Sequence, residues 1–495
     1  MSFLRAELAQ WRASPARELM AGAVATFALI PEVIAFAFVA GVDPQVGLFA
    51  SFVIGIVIAF CGGRPAMISA AAGSVALVAA PLVAAHGLRY LLAAGLLAGA
   101  VQILFGLLRL GVLMRFVSSS VRTGFVNALA VLIFAAQLPH LLGANPTTWV
   151  MLGVGLAIIY GLPRLRIPGL SAIPSPLLCI LLLTIAGTAL QLPLKTVSDL
   201  GKLPNALPLL QWPSVPLTLE TLRIIALPAL AIAMVGLLES LMTARVVDEL
   251  TDTPSNKNRE CAGLGIANAA ASLFGGIAGC GMIGQTVGNV KYGGRGRLST
   301  LFAGVFLLIL MVLLKPWVSQ VPLVALVAIM VMVSAETFDW RSLRTLVTHP
   351  RTSSAVMLAT VAVTLVTHNL AAGVAVGVVL SGVFFTFKVA GLLQIAHSDG
   401  DDGVRTYSVR GQVFFASADV FIDAFDAREV PGRAVLIDVS RAHFWDITAV
   451  AALDKVVQRL RHHDLDVQVK GLNAGSRRLM QAHALGEDAL ESALP

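Results

Sequence analysis

Charge is scarce in this sequence: 13% of its 495 residues are Asp, Glu, Lys or Arg, while 57% are hydrophobic. A soluble fold of this length cannot hide so much apolar surface, so the scarcity excludes an ordinary globular protein and requires a bilayer as solvent. Cysteine is scarce as well. Cys61, Cys179, Cys261 and Cys280 sit in or beside apolar runs without metal-ligand spacing. This speaks against a disulfide framework and a zinc site and leaves four small core residues. The sequence also lacks a nucleophile–base constellation, which argues against an enzyme. The formal charge of +7 lies mainly between apolar runs, where topology accounts for it and nucleic-acid binding does not. Residues 1–18 mix acids, bases and a Trp without a small-residue cleavage pattern, so they are expected to be an uncleaved cytoplasmic N-terminus.

What the chain has in abundance is apolar runs. They fall near 20–41, 46–61, 73–86, 90–110, 121–143, 148–162 and 175–192, and again near 223–246, 260–276, 283–290, 298–319, 321–336, 354–368 and 370–391. A Pro-rich polar stretch from about Leu192 to Thr221 separates the two series and reads as an extracytoplasmic connection. The pattern predicts an α-helical polytopic membrane protein with 14 membrane segments, its transporter-like region covering 19–395. Seven crossings in each half, about 19–193 and 223–391, put the halves in opposite orientations, the mark of an inverted repeat. Basic residues agree with two cytoplasmic ends. Arg64, Arg109, Arg115, Arg122, Arg164, Arg166, Lys257, Arg259, Lys291, Arg295, Arg297, Arg341, Arg344, Arg351 and Lys388 fall to the inner loops, whereas the outer ones receive chiefly Arg89, Lys195, Lys202, Arg223 and Lys315.

Two runs are too short to span. As a helix, 73–86 reaches about 21 Å, against a hydrocarbon core of about 30 Å. The run at 283–290 is shorter still, and both are third in their half. Paired short segments point to a midplane binding site. Their Gly-rich approaches, Ala70–Ser74 and Gly275–Gly284, are expected to be unwound backbone. A half-helix start carries unpaired N–H groups and about half a positive charge, so two facing starts make an anion site. Gly73 and Ser74 would line it on one side, and Gly284, Gln285 and Thr286 on the other.

Glu32 and Glu239 each stand inside the first apolar segment of their half. A charge there costs at least about 2.5–3.5 kcal/mol, which favours a functional role such as ion coupling. Thr243 shares a helical face with Glu239. Burial favours a neutral, proton-exchanging carboxylate, and a compact oxygen cage favours Na⁺; the residues leave both open. After Gly391 the chain turns polar, and strand-like runs at Val404–Val413, Ala434–Val439 and Asp466–Val469 alternate with helical ones. This predicts a small cytoplasmic α/β domain at 400–495.

Three stretches resemble the SulP anion-transporter family, bacterial relatives of the mammalian solute carriers that include prestin. They are IPEVIAFAFVAGVDPQVGLFAS at 30–51, LLESLMTARVVDELTDTPSNKNRECAGLGIANAAASLFGG with GQTVGNVKYGGRGRLST within 237–300, and a tail with SVRGQVFFASAD and VLIDVSRAHFWDITAVAALDKVV that resembles a STAS domain. The resemblance implies a uracil-permease-like fold with core and gate domains, a homodimer in the cell inner membrane, elevator-like alternating access, and an anion held between the third and tenth helices. A cyanobacterial bicarbonate member binds Na⁺ through an Asp and a Thr on its eighth helix, where Glu239 and Thr243 stand here at the same spacing. Ala70, Ala71 and Ala72 replace a Gly-Pro-Thr-type run, and Gln285 replaces an Arg of many eukaryotic members. Asp446, Ile447 and Thr448 match the phosphorylated turn of anti-sigma-factor antagonists, with Thr448 at the hydroxyl position, although helix N-capping explains the motif without any switch. The expectation is therefore secondary transport of bicarbonate, sulfate or a dicarboxylate such as fumarate, coupled to H⁺ or Na⁺, with no cofactor beyond such an ion. An uncoupled exchanger or channel is the alternative, as is a membrane-anchored scaffold whose STAS domain recruits a cytoplasmic partner.

Overall fold

Residues whose side chains are almost wholly apolar form helices here because only intrahelical hydrogen bonds satisfy the backbone where water is absent. The computed structural model describes residues 11, 14–112, 117–165, 175–199, 209–348, 350–367, 369–400 and 403–483. The chain divides after Val378 into two compact units. The first contains α1 (Pro15–Val39), α2 (Pro44–Cys61), β1 (Ser69–Ala71), α3 (Gly73–His86), α4 (Leu88–Leu107), α5 (Ser119–Ala135), α6 (Pro146–Gly161) and α7 (Ser175–Ala189). It continues with α8 (Leu219–Thr251), α9 (Lys257–Leu273), β2 (Gly279–Gly281), α10 (Ile283–Lys291), α11 (Leu298–Val318), α12 (Leu323–Thr337) and α13 (Arg351–Thr367), and α14 (Leu370–Ala390) runs across the division. Arg115, Arg166, Lys202, most of residues 1–13 and residues 484–495 lie outside the described residues.

Proline at the first helical position opens α1, α2 and α6, where its missing N–H would be unpaired anyway. Ser118, Thr218 and Asn256 cap α5, α8 and α9 by accepting backbone N–H groups of the first turn. Among the described residues, eight helices are long and apolar enough to cross a membrane, and four shorter ones are apolar. Contacts sort the helices into two groups. α1–α4 pack with α8–α11, and α5, α6 and α7 pack with α12, with α13 against α5, while α1 also touches α7 and α12 and α3 touches α5. Small residues permit the closest approach: a Cβ on Gly99 of α4 would lie 2.7 Å from the carbonyl of Gly265 in α9, and one on Gly265 would lie 2.5 Å from that of Gly99.

One element escapes the hydropathy pattern. Trp340–Thr348 forms a short helix whose Ser342 is buried among otherwise polar or exposed neighbours.

The second unit carries a four-stranded sheet, β3 (Gln394–Asp399), β4 (Val404–Val413), β5 (Ala434–Phe444) and β6 (Asp466–Lys470), in that spatial order. β3 and β4 are antiparallel, whereas β4–β5 and β5–β6 are parallel. α15 (Ala418–Asp423), α16 (Ile447–Arg461) and α17 (Ala474–His483) accompany the sheet, and its core gathers Tyr407, Phe421, Ile437, Leu453 and Val457. β3 precedes the first strand that alternation predicts, and Ile447 is exposed rather than part of the buried stripe of α16.

Candidate functional site

The approaches to α3 and α10 are unwound as expected, and within them two three-residue strands pair with each other. β1 and β2 are antiparallel, with Ser69 opposite Gly281, Ala70 opposite Cys280 and Ala71 opposite Gly279. Glycine is required at 279, because a Cβ there would fall 2.0 Å from the Ala70 carbonyl oxygen. Neighbouring helices accept from three of the ribbon's backbone N–H groups. Ser51 of α2 accepts from the Ala71 N–H (3.1 Å), Ser240 of α8 from the Gly281 N–H (2.8 Å) and Asn268 of α9 from the Gly279 N–H (2.8 Å). Antiparallel pairing puts the starts of α3 and α10 at opposite ends of a ribbon about 7–10 Å long, so the two short helices lead away from a shared centre.

The two carboxylates cross between the halves of the sequence. Ser74, the second residue of α3, donates its hydroxyl hydrogen bond to Glu239 of α8. Cys280 of β2 joins this pair, its Sγ 3.9 Å from Ser74 Oγ and close to Glu239. In the mirror arrangement, Gln285 at the start of α10 lies beside Glu32 of α1. Each glutamate of a first helix thus meets the polar residue that opens the other half's short helix. Both carboxylates are half-buried, while Ser74 and Gln285 are buried.

The remaining expected site residues divide by what they touch. Gly73 is buried against Phe36, whose ring a Cβ would meet at 2.7 Å, whereas Gly284 has open space where a Cβ would stand. The Thr286 hydroxyl faces the backbone of Ile68, accepting from its N–H (2.9 Å) and lying 3.3 Å from its carbonyl. Thr243 donates toward the carbonyls of Glu239 (2.9 Å) and Gly281 (2.8 Å), tying α8 to β2. Both threonines therefore brace the ribbon. Ser74 presents a proton and Cys280 a thiol to Glu239, a donor set that suits a carboxylate exchanging protons better than an oxygen cage for a hard cation.

Two residues join the site that motif reading missed. Cys280 gave no sequence signal beyond its small size. Glu336 of α12 interacts electrostatically with Glu32 and with Tyr160 of α6, so a third carboxylate approaches from the second helix group. Its signal was available, since residues 323–335 hold no charge before it. In the second unit, Asp446 caps α16 by accepting from the Ala449 N–H and also accepts from the Phe415 N–H, both at 2.9 Å. Thr448 is exposed in the first turn of that helix.

Comparison with known proteins follows this geometry. The sulfate permease family model matches residues 16–151 and 144–361, and a STAS domain model matches 396–489. The chain belongs to the sulfate permease family. A putative sulfate transporter of Bacillus subtilis, YbaR, is 49% identical over 475 residues, covering 96% of this chain and 98% of that protein. The transmembrane domain of the cyanobacterial bicarbonate transporter BicA superposes with a TM-score of 0.65 at 26% identity, covering 75% of this chain and 98% of that one. The murine Solute Carrier 26 family member A9 anion transporter, in its inward-facing state, covers 100% of this chain and 93% of its own with a TM-score of 0.82. At 17% identity it shows the fold alone. The sulfate permease family member described here is thus a multi-pass helical membrane transporter of the Solute Carrier 26 fold with a C-terminal STAS domain. Its family relatives are anion transporters rather than enzymes.

Proposed function

We propose that this protein is a secondary active transporter that couples the movement of a small oxyanion (sulfate, bicarbonate or a dicarboxylate such as fumarate) to a proton carried by Glu239. The observation that carries the reading is the hydrogen bond from Ser74 to Glu239 at the start of α3. An anion at the two helix starts needs the α3 dipole and the Ser74 hydroxyl, and an ionised Glu239 occupies both. Protonation removes the competing charge and frees the Ser74 donor, so the anion and the proton bind together. Thr243 and Glu239 remain as the alternative Na⁺ pair, the Thr243 hydroxyl donating to two carbonyls and keeping its lone pairs.

Fourteen membrane segments in two inverted repeats belong to the same proposal, supported by the crossed Glu239–Ser74 and Glu32–Gln285 pairs. The group α1–α4 with α8–α11 is read as a core that carries the site, and the group around α5–α7 and α12–α13 as a gate against which it slides in elevator fashion. The excess of basic residues on one set of loops supports cytoplasmic termini in the inner membrane. Exposed apolar faces on α6 and α14, where only 22% and 17% of the span is buried, suit lipid or a second copy in a homodimer.

The test is uptake of labelled sulfate, bicarbonate and fumarate into proteoliposomes under an imposed pH or Na⁺ gradient. One of the anions is expected to accumulate when the outside is acidic, with no response to Na⁺, and Glu239→Gln is expected to exchange the anion without concentrating it. Full gradient-driven accumulation by Glu239→Gln contradicts the assignment of coupling to this residue.

A further inference from the structure

A second cavity holds charge that the site around Glu239 does not use. It is an open pocket of about 290 Å³ lined by Arg122, Thr123 and Val126 of α5, by Met242, Arg245 and Glu249 of α8, whose charged side chains are exposed, and by Asp339 just beyond α12. It therefore straddles the two helix groups. On α8, Glu239, Met242 and Glu249 follow one another at helical spacings of three and seven, so the cavity abuts the face that carries Glu239. Arg245 lies six residues beyond Glu239, about 9 Å along the helix axis.

The charges in this cavity are unevenly matched. Glu249 is engaged by the Nε of Arg245 at 3.2 Å, and Asp339 accepts from the Arg341 N–H at 3.1 Å. Arg122 faces both Arg245 and Glu249 electrostatically, yet its half-buried guanidinium makes no hydrogen bond or ion pair among the described residues. A half-exposed guanidinium at the end of a helix, facing a second one and with its own N–H fork unfilled, offers that fork to a visiting anion. The cavity has room for a small oxyanion between two such forks.

We propose that Arg122 and Arg245 form a docking site for the transported oxyanion at the cytoplasmic mouth of the route to Glu239, bridging the gate and core groups. The inference rests on the transport reading above. Because the arginines belong to different groups, sliding of the core separates them and releases the anion, so the site is complete only when this mouth is in the geometry seen here.

The experiment measures KM and kcat from each face in oriented proteoliposomes of neutral lipid, for wild type, Arg122→Gln, Arg245→Gln, Arg122→Lys and Glu249→Gln. Absence of transport by the wild type contradicts the transport reading itself, and the remaining outcomes bear on the docking site alone. The two Gln variants are expected to raise KM from the cytoplasmic face about tenfold, with kcat and the opposite-face KM unchanged. Arg122→Lys is expected to retain part of the affinity, and Glu249→Gln is expected not to raise KM. The proposal is overturned by an unchanged cytoplasmic KM in both Gln variants. It is equally overturned if Glu249→Gln reproduces the Arg122→Gln defect, which marks an ion-pair gate, or if the defect appears only when anionic lipid is added, which marks a headgroup site.

Discussion

Gly279 and Gly284 stand five residues apart on the approach to one helix, and a side chain would meet a carbonyl oxygen at the first and open space at the second. The first is a condition of the ribbon, the second an opening beside Gln285. Gly279→Ala is expected to destabilise the purified protein by about 1–3 kcal/mol or to prevent folding, while Gly284→Ala stays within about 0.5 kcal/mol of wild type in thermal unfolding. Equal effects would show that the strands do not approach as closely as described. At this scale the sequence was legible where physics penalises a residue for being there: Glu32 and Glu239 stand out because charge in an apolar run is expensive. It was less legible where a hydroxyl had a choice of partner. The spacing of Thr243 from Glu239 and the place of Thr286 at the start of a short helix mark them as site residues, and both hydroxyls bond backbone groups in or beside the ribbon. Ser74 and Cys280 meet Glu239 only because strands from opposite halves pair.

The elements that position the site are held on one side by arginines at the end of α2. Arg297 donates to the carbonyls of Ala59 and Gly62, each at 2.9 Å, and Arg259 donates to those of Phe60 and Cys61. Cations at a helix C-terminus satisfy its last carbonyls and complement its dipole. Arg297 is 2% exposed, so truncation leaves buried carbonyls without partners. Arg297→Ala is expected to lose about 2–4 kcal/mol of stability, with Arg297→Lys intermediate because an ammonium cannot fork to two carbonyls; thermal unfolding in detergent checks the order, and an unaffected Ala variant would count against it. Long apolar runs made the helices legible to within a few residues. The β1–β2 ribbon was not, since three residues such as Ser69–Ala71 show no period and their pairing is fixed by contacts more than 200 residues away. β3 was missed for a related reason: Gln394–Asp399 is almost entirely exposed and lacks the alternation of a half-buried strand.

At the scale of the whole molecule, two helix groups surround one centre where short helices from opposite halves begin and where each half's glutamate meets the other half's polar residue. In the proposed mechanism, Glu239 and the transported anion exclude one another unless a proton neutralises the carboxylate. By linkage, a ligand that binds only the protonated form loses up to about tenfold in affinity per pH unit once pH exceeds the pKa of that group. The direct measurement is equilibrium binding of a substrate anion, with sulfate preferred because its charge is constant from pH 5 to 8, to wild type and Glu239→Gln in neutral-lipid nanodiscs. Wild-type affinity is expected to fall as pH rises, while the Gln variant is expected to bind at every pH with the affinity the wild type reaches in acid. Binding by the Gln variant that keeps the wild-type pH dependence, or wild-type binding that does not change with pH, would contradict that mechanism.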